Sequence, residues 1–155
     1  MVPIRVIAIP TKVAESVRAT MKAPGYGHPA HTEVAAGYGP CRHCLRKFEI
    51  GKERRVLFTY DPFFEIENVP LPGPIFVHAN ECARYPEDGV YPPELRDVPA
   101  VLCAYGEGRK LLEEIRVTDR NQPAVAETLL QRPEVRYVHI RDLSAGCYDF
   151  RIERA

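Results

Sequence analysis

Four side chains in this sequence are of the kinds that bind a soft metal, and they come in two close pairs. Cys41 and Cys44 form a Cys-x-x-Cys, and His78 and Cys82 form a His-x-x-x-Cys. A tight turn can put two thiolates three residues apart on one ion, and the second pair could complete a Cys3His tetrahedron around zinc. Against this, no glycine follows Cys44 to ease the turn. If 41–47 is extended and pairs with 55–60, side chains three apart face opposite sides of a sheet. His78, in a strand with Phe76 on its face, would then sit two strands from Cys44, roughly 9–10 Å of backbone separation. Alternation therefore ranks zinc as an optional cofactor, below a reading of these residues as ordinary thiols.

The same residues suggest two other chemistries. Arg42 can fork onto a carboxylate or phosphate, so Arg42, Cys41 and His78 are candidate ligand-binding residues in a polar pocket. A thiol beside an imidazole is the minimum for nucleophilic catalysis, which makes Cys41 or Cys147 with His78 or His139 candidate catalytic pairs. Each has a plainer reading. Arg42 can tie carbonyls, His139 alternates with Tyr137 and Arg141 on a solvated or partly covered face, and Cys103 shares a core face with Val101 and Tyr105. His28 and His31 read as loop histidines. Lys52-Glu53-Arg54-Arg55 reads as a solvated turn. A redox use of Cys-x-x-Cys needs the first thiol at a helix N-terminus, and the sequence around Cys41 gives no such context.

The elements that must carry these residues are short. Ile4–Ile9 reads as a strand, and Thr11 as the cap of a helix from Lys12 to about Lys22 with Val13, Val17 and Met21 on one stripe. Residues 26–40 read as a long loop. Arg55–Tyr60 and Pro74–Asn80 read as strands, separated by a loop over 63–72, and 83–99 as a proline-rich surface segment with one helical turn at 93–95. Residues 100–117 read as a hairpin, 122–131 as a helix opened by Pro123, and 135–141 with 147–153 as a last hairpin. The order predicts one domain over 1–155. Its class is α+β: a mainly antiparallel β-sheet with two short helices and long proline-rich loops.

Composition narrows the partners. Basic and acidic residues balance at 21 each, so neither nucleic acid nor an acidic tail is expected. No apolar run nears the roughly 20 residues that span a bilayer, and the first ten residues read as a strand and not a signal peptide. A soluble, cytoplasmic protein with reduced thiols is the expectation, five cysteines being an odd number. Phosphate loops, dinucleotide fingerprints and nucleophile elbows are absent. The preferred reading is a non-catalytic domain with a small ligand or a protein as partner. A thiol enzyme and a structural zinc domain are the alternatives.

Three stretches carry a resemblance: Pro40-Cys41-Arg42-His43-Cys44-Leu45, Gly73-Pro74-Ile75-Phe76-Val77, and 146–154 from Gly146 to Arg154. They resemble a small bacterial family catalogued as domain of unknown function 1203. The resemblance covers most of the chain after the first helix. It implies a small single-domain bacterial protein and supplies no activity.

Overall fold

The structure, a computed structural model, describes residues 2–67 and 71–155. Among them the order is β1 (Ile4–Ile7), α1 (Thr11–Thr20), β2 (His31–Val34), β3 (Arg54–Tyr60), β4 (Gly73–His78), β5 (Ala100–Tyr105), β6 (Leu111–Val117), α2 (Gln122–Leu130), β7 (Tyr137–Asp142) and β8 (Tyr148–Arg154). The strands form two antiparallel sheets, β1-β8-β7-β5-β6 and β2-β3-β4. The fold is thus α+β and mainly β. The expected loop over 63–72 includes 68–70, which lie outside the described residues. The chain gathers into two compact units, Met1–Ile7 with Pro86–Ala155, and Ala8–Tyr85.

In the first unit α2 packs on β5, β7 and β8 through Ala126, Leu129 and Leu130. Pro123 sits in its first turn, where a missing N–H costs nothing. Burying a side chain such as Leu130 or Phe150 contributes about 1.5–3 kcal/mol. On β7, Tyr137, Val138, His139 and Ile140 are all buried, so both faces of this strand are covered. The half-solvated face expected for His139 is a tyrosine cluster instead. Its ring lies 5.1 Å from Tyr105, 5.2 Å from Tyr137 and 4.8 Å from Tyr148.

The second unit holds the two Cys/His pairs. Val13, Ala14 and Val17 form the buried stripe of α1, as their spacing requires. Pro10, not Thr11, occupies the N-cap position, and the Thr11 hydroxyl is used elsewhere. Strand β2 lies inside the expected long loop. Its pattern is exposed almost throughout, so no apolar alternation announces it. Backbone pairing with β3 holds it, from His31 opposite Leu57 to Val34 opposite Arg54.

Arg55 corrects the solvated-turn reading. It is buried, its guanidinium lies 3.8 Å from the centroid of the Phe76 ring, and Nη2 donates to the Ala36 carbonyl at 2.6 Å. Gly39 closes against the same ring. Its φ is +148°, and a Cβ there would lie 2.8 Å from Phe76 Cδ2. Because Arg55 pins that ring, Gly39→Ala is expected to lower stability by about 1–3 kcal/mol. Urea denaturation measures it, and an unchanged midpoint would show that the ring can give way.

Candidate metal centre

The segment after Gly39 does not extend. Residues Arg42, His43 and Cys44 form a turn. The Leu45 N–H donates to the Cys41 carbonyl at 2.8 Å, and the Cys41 N–H to the Arg46 carbonyl at 3.0 Å. Leu45 closes the turn with φ +58°. This is the left-handed position usually given to glycine, and it costs a branched residue roughly 1–2 kcal/mol. Leu45 is fully buried, and that burial offsets a strain of this size. The missing glycine was therefore no obstacle to the turn.

The turn lies along β4. Arg42 N–H donates to the Phe76 carbonyl at 3.0 Å, and His78 N–H to Cys41 Sγ at 3.3 Å. His78 is the last residue of β4. The chain bends at Ala79 and Asn80 and returns with Cys82. The ligand atoms of Cys41, Cys44, His78 and Cys82 all lie within 4.8 Å of one another. The sequence argument that alternation separates them fails, because it assumed two extended segments where the chain makes a turn and a strand end.

The distances suit one ion. Tetrahedral zinc with Zn–S near 2.3 Å and Zn–N near 2.05 Å sets its sulfurs about 3.8 Å apart, and sulfur from nitrogen about 3.6 Å. Cys41 Sγ and Cys82 Sγ are 3.8 Å apart, and Cys44 Sγ is 3.4 Å from His78 Nδ1. Cys41, Cys44 and His78 are buried, and Cys82 is half-buried.

A second layer of side chains holds the four. His78 turns Nδ1 toward the sulfurs and sets Nε2 2.8 Å from Glu53 Oε2, an ion-pair contact out of line for a hydrogen bond. The Glu53 charge at this distance raises the basicity of the ring. Phe48 packs edge-on against the ring at 4.6 Å. Arg18 donates from Nη2 to Cys82 Sγ at 3.2 Å and from Nε to the His78 carbonyl at 3.0 Å. His43 places Nδ1 3.2 Å from Cys82 Sγ and Nε2 3.0 Å from Thr11 Oγ1. With its proton on Nδ1 it donates to sulfur and accepts from the hydroxyl, which satisfies both contacts.

Taken as protons alone, the cluster puts its negative charge on Cys82. Hydrogen bonds from Cys41 and Cys44 lower that thiol, burial opposes them, and His43 and His78 lower it further. Cys44 is raised by its hydrogen bonds to Cys41 and Cys82 and then by burial. Burial pulls His78 down. Its hydrogen bonds to Cys41 and Cys82, with the charges of Cys41 and Glu53, outweigh that and raise it to about 10.

The other candidate residues are not among the four clustered ligands. Arg42 is buried, with Nη1 donating to the Pro40 carbonyl at 2.8 Å, which is the carbonyl-tying role. His139 is buried in the tyrosine cluster and Cys147 is half-buried, and both belong to the Pro86–Ala155 unit. Cys103 is a core thiol as expected, pushed up to about 11 by burial first. His28 and His31 are exposed. Sequence reasoning missed Arg18, Glu53 and Thr11 as supports. Arg18 stood on a helix outside the motif, and only its four-residue offset from Ala14 placed it beside the buried stripe.

A model of the family described as Protein of unknown function (DUF1203) matches residues 38–154. No curated protein and no solved structure matches the chain.

Proposed function

The chain belongs to the DUF1203 family, whose function is unknown, and we propose that its Ala8–Tyr85 unit is a zinc-binding fold. In it Cys41, Cys44, His78 and Cys82 hold one ion. Four protein ligands leave no open position for water or substrate, so the ion acts as a cross-link and not as a catalyst. It joins the 41–44 turn, the end of β4 and the returning chain at Cys82. The observation that carries this reading is the spacing of the four ligand atoms, all within 4.8 Å. The layer behind them supports it, with Glu53 on the histidine and Arg18 and His43 on the one half-buried sulfur. Three thiolates and an imidazole favour zinc over harder cations.

The His43–Cys82 contact favours a second reading, a thiolate nucleophile with an imidazole beside it. Elemental analysis and alkylation separate the two. The chain, purified without added metal, is expected to hold one zinc. Cys82 is then expected to resist iodoacetamide until a chelator is added. Absence of zinc, with Cys82 labelled faster than Cys147 in untreated protein, would favour the nucleophile.

A further inference from the structure

A pocket of about 290 Å³ opens in the Ala8–Tyr85 unit, lined by Val13, Pro24, Gly25, Tyr26, Tyr60, Asp61 and Phe64. It shares no residue with the metal cluster. Its size falls just below the roughly 300–1,000 Å³ of small-molecule sites, which suits a small guest. Three of its walls are aromatic rings, and two of these, Tyr26 and Phe64, are exposed. Tyr60 and Phe64 stand 6.4 Å apart and tilted by 55°. Among the described residues, Asp61 is the only acidic group in the lining.

Asp61 and the loop that carries Tyr26 are held in place. Asp61 Oδ1 accepts from the Phe63 N–H at 3.0 Å and the Leu71 N–H at 3.1 Å, so the carboxylate is fixed. Tyr26 rides on a loop closed by Ala23 N–H to the His28 carbonyl at 2.8 Å and Gly27 N–H to the Ala23 carbonyl at 2.9 Å. Its ring stacks on His28 at 6.0 Å, nearly parallel. Lys12 Nζ lies 5.4 Å from the Phe64 centroid and is ion-paired with Glu65 at 2.5 Å.

We propose that this pocket binds the trimethylammonium group of a small molecule. Ring faces attract a weakly hydrated cation, most strongly where water is excluded. Asp61 supplies the opposing charge. A neutral apolar guest would leave that carboxylate facing hydrocarbon, at a cost in desolvation. A primary ammonium fits less well. It carries three N–H donors, and the lining offers few acceptors, one of whose oxygens is already engaged by two backbone N–H groups. A cation with no N–H to satisfy meets the aromatic walls without that loss.

The test is a titration of the full isotope-labelled chain with choline, followed by amide NMR shifts and matched with sodium chloride. Saturable shifts are expected at Gly25, Tyr26, Asp61 and Phe64. The neutral isostere 3,3-dimethyl-1-butanol is expected to bind about tenfold more weakly. Tyr26→Ala, at an exposed ring, is expected to weaken choline about tenfold, and Asp61→Asn about fivefold. The asparagine keeps an Oδ1 for the two backbone donors, so loss of fold does not confound it. A short peptide bearing trimethyllysine forms the second arm. Affinity no better than that of choline supports a free small ligand, and tenfold tighter binding would overturn that source. No saturable shift up to about 50 mM choline, equal affinity for the isostere, or undiminished binding in either variant would overturn the proposal.

Discussion

Cys44→Ser is expected to empty the metal centre and to lower stability by about 4 kcal/mol. That figure is the linkage for zinc held at about a thousand times its dissociation constant. For a chain of this length it corresponds to about 10 °C or more in melting temperature. The physical reason lies in what the ion ties together. The stretches 35–53 and 79–85 have no helix and no strand. Backbone bonds, a buried turn and side-chain contacts such as Arg55 to the Ala36 carbonyl and Arg84 to the Ile9 carbonyl hold them, and the proposed ion would add a cross-link between them. Metal binding that occurs only in the folded state adds directly to folding free energy. The Ala8–Tyr85 unit also has apolar contacts of its own, among them Phe58, Phe63, Ile75 and Val77, all buried. The variant is therefore expected to be destabilised and not fully unfolded. Cys147→Ser, outside the cluster, serves as control and should stay within about 0.5 kcal/mol. Thermal melts with and without a chelator measure the effect. Parallel melts for Cys44→Ser and wild type, with no response to chelator in either, would contradict it.

The second large effect is a pH dependence carried by His139. Burial first, and then the charges of Arg141 and Arg151, hold this ring well below the ordinary histidine value. Its cross-strand neighbours are Cys103 on β5 and Arg151 on β8, and the surrounding rings are tyrosines. No carboxylate is among the causes of its shift. The native state therefore keeps the ring neutral, while the unfolded chain takes up a proton near pH 6.5. Below that pH, unfolding binds one proton more than folding retains, so stability falls as pH falls. The slope approaches 1.36 kcal/mol per pH unit, which amounts to about 2–3 kcal/mol by pH 4.5. His139→Phe keeps a flat ring among the tyrosines and removes the titration. Relative to wild type, the variant is expected to gain about 2 kcal/mol between pH 7 and pH 4.5. Protonation of the metal ligands acts in the same window but is common to both chains and cancels in the difference. Stability curves that run parallel over that range would show that His139 takes up its proton while folded.

Alternation made the sheets legible. Val56, Phe58 and Tyr60 share the buried face of β3, and Tyr148, Phe150 and Ile152 are buried on β8. The helix signals at Val13 to Val17 and at Pro123 also led to the right segments. The same rule misled wherever local backbone geometry departed from a plain strand. The Cys41–Cys44 turn depends on a left-handed Leu45, which its residue type does not announce. β2 is an exposed edge with no apolar pattern, so its pairing with β3 left no trace in the sequence. His139 is covered by Tyr137 on its own strand and by Tyr105 and Tyr148 on neighbouring strands, and a single strand's pattern cannot show what its neighbours supply. The four candidate ligands were visible as residue types. Their convergence was not, because it is set by a turn and a strand end meeting at His78.

X-ray absorption at the zinc edge of the purified full chain tests the central claim most directly, since it counts the atoms around the ion. Three sulfur neighbours near 2.3 Å and one nitrogen near 2.0–2.1 Å are the predicted shell. A shell dominated by oxygen and nitrogen, or protein with no zinc to measure, would contradict it.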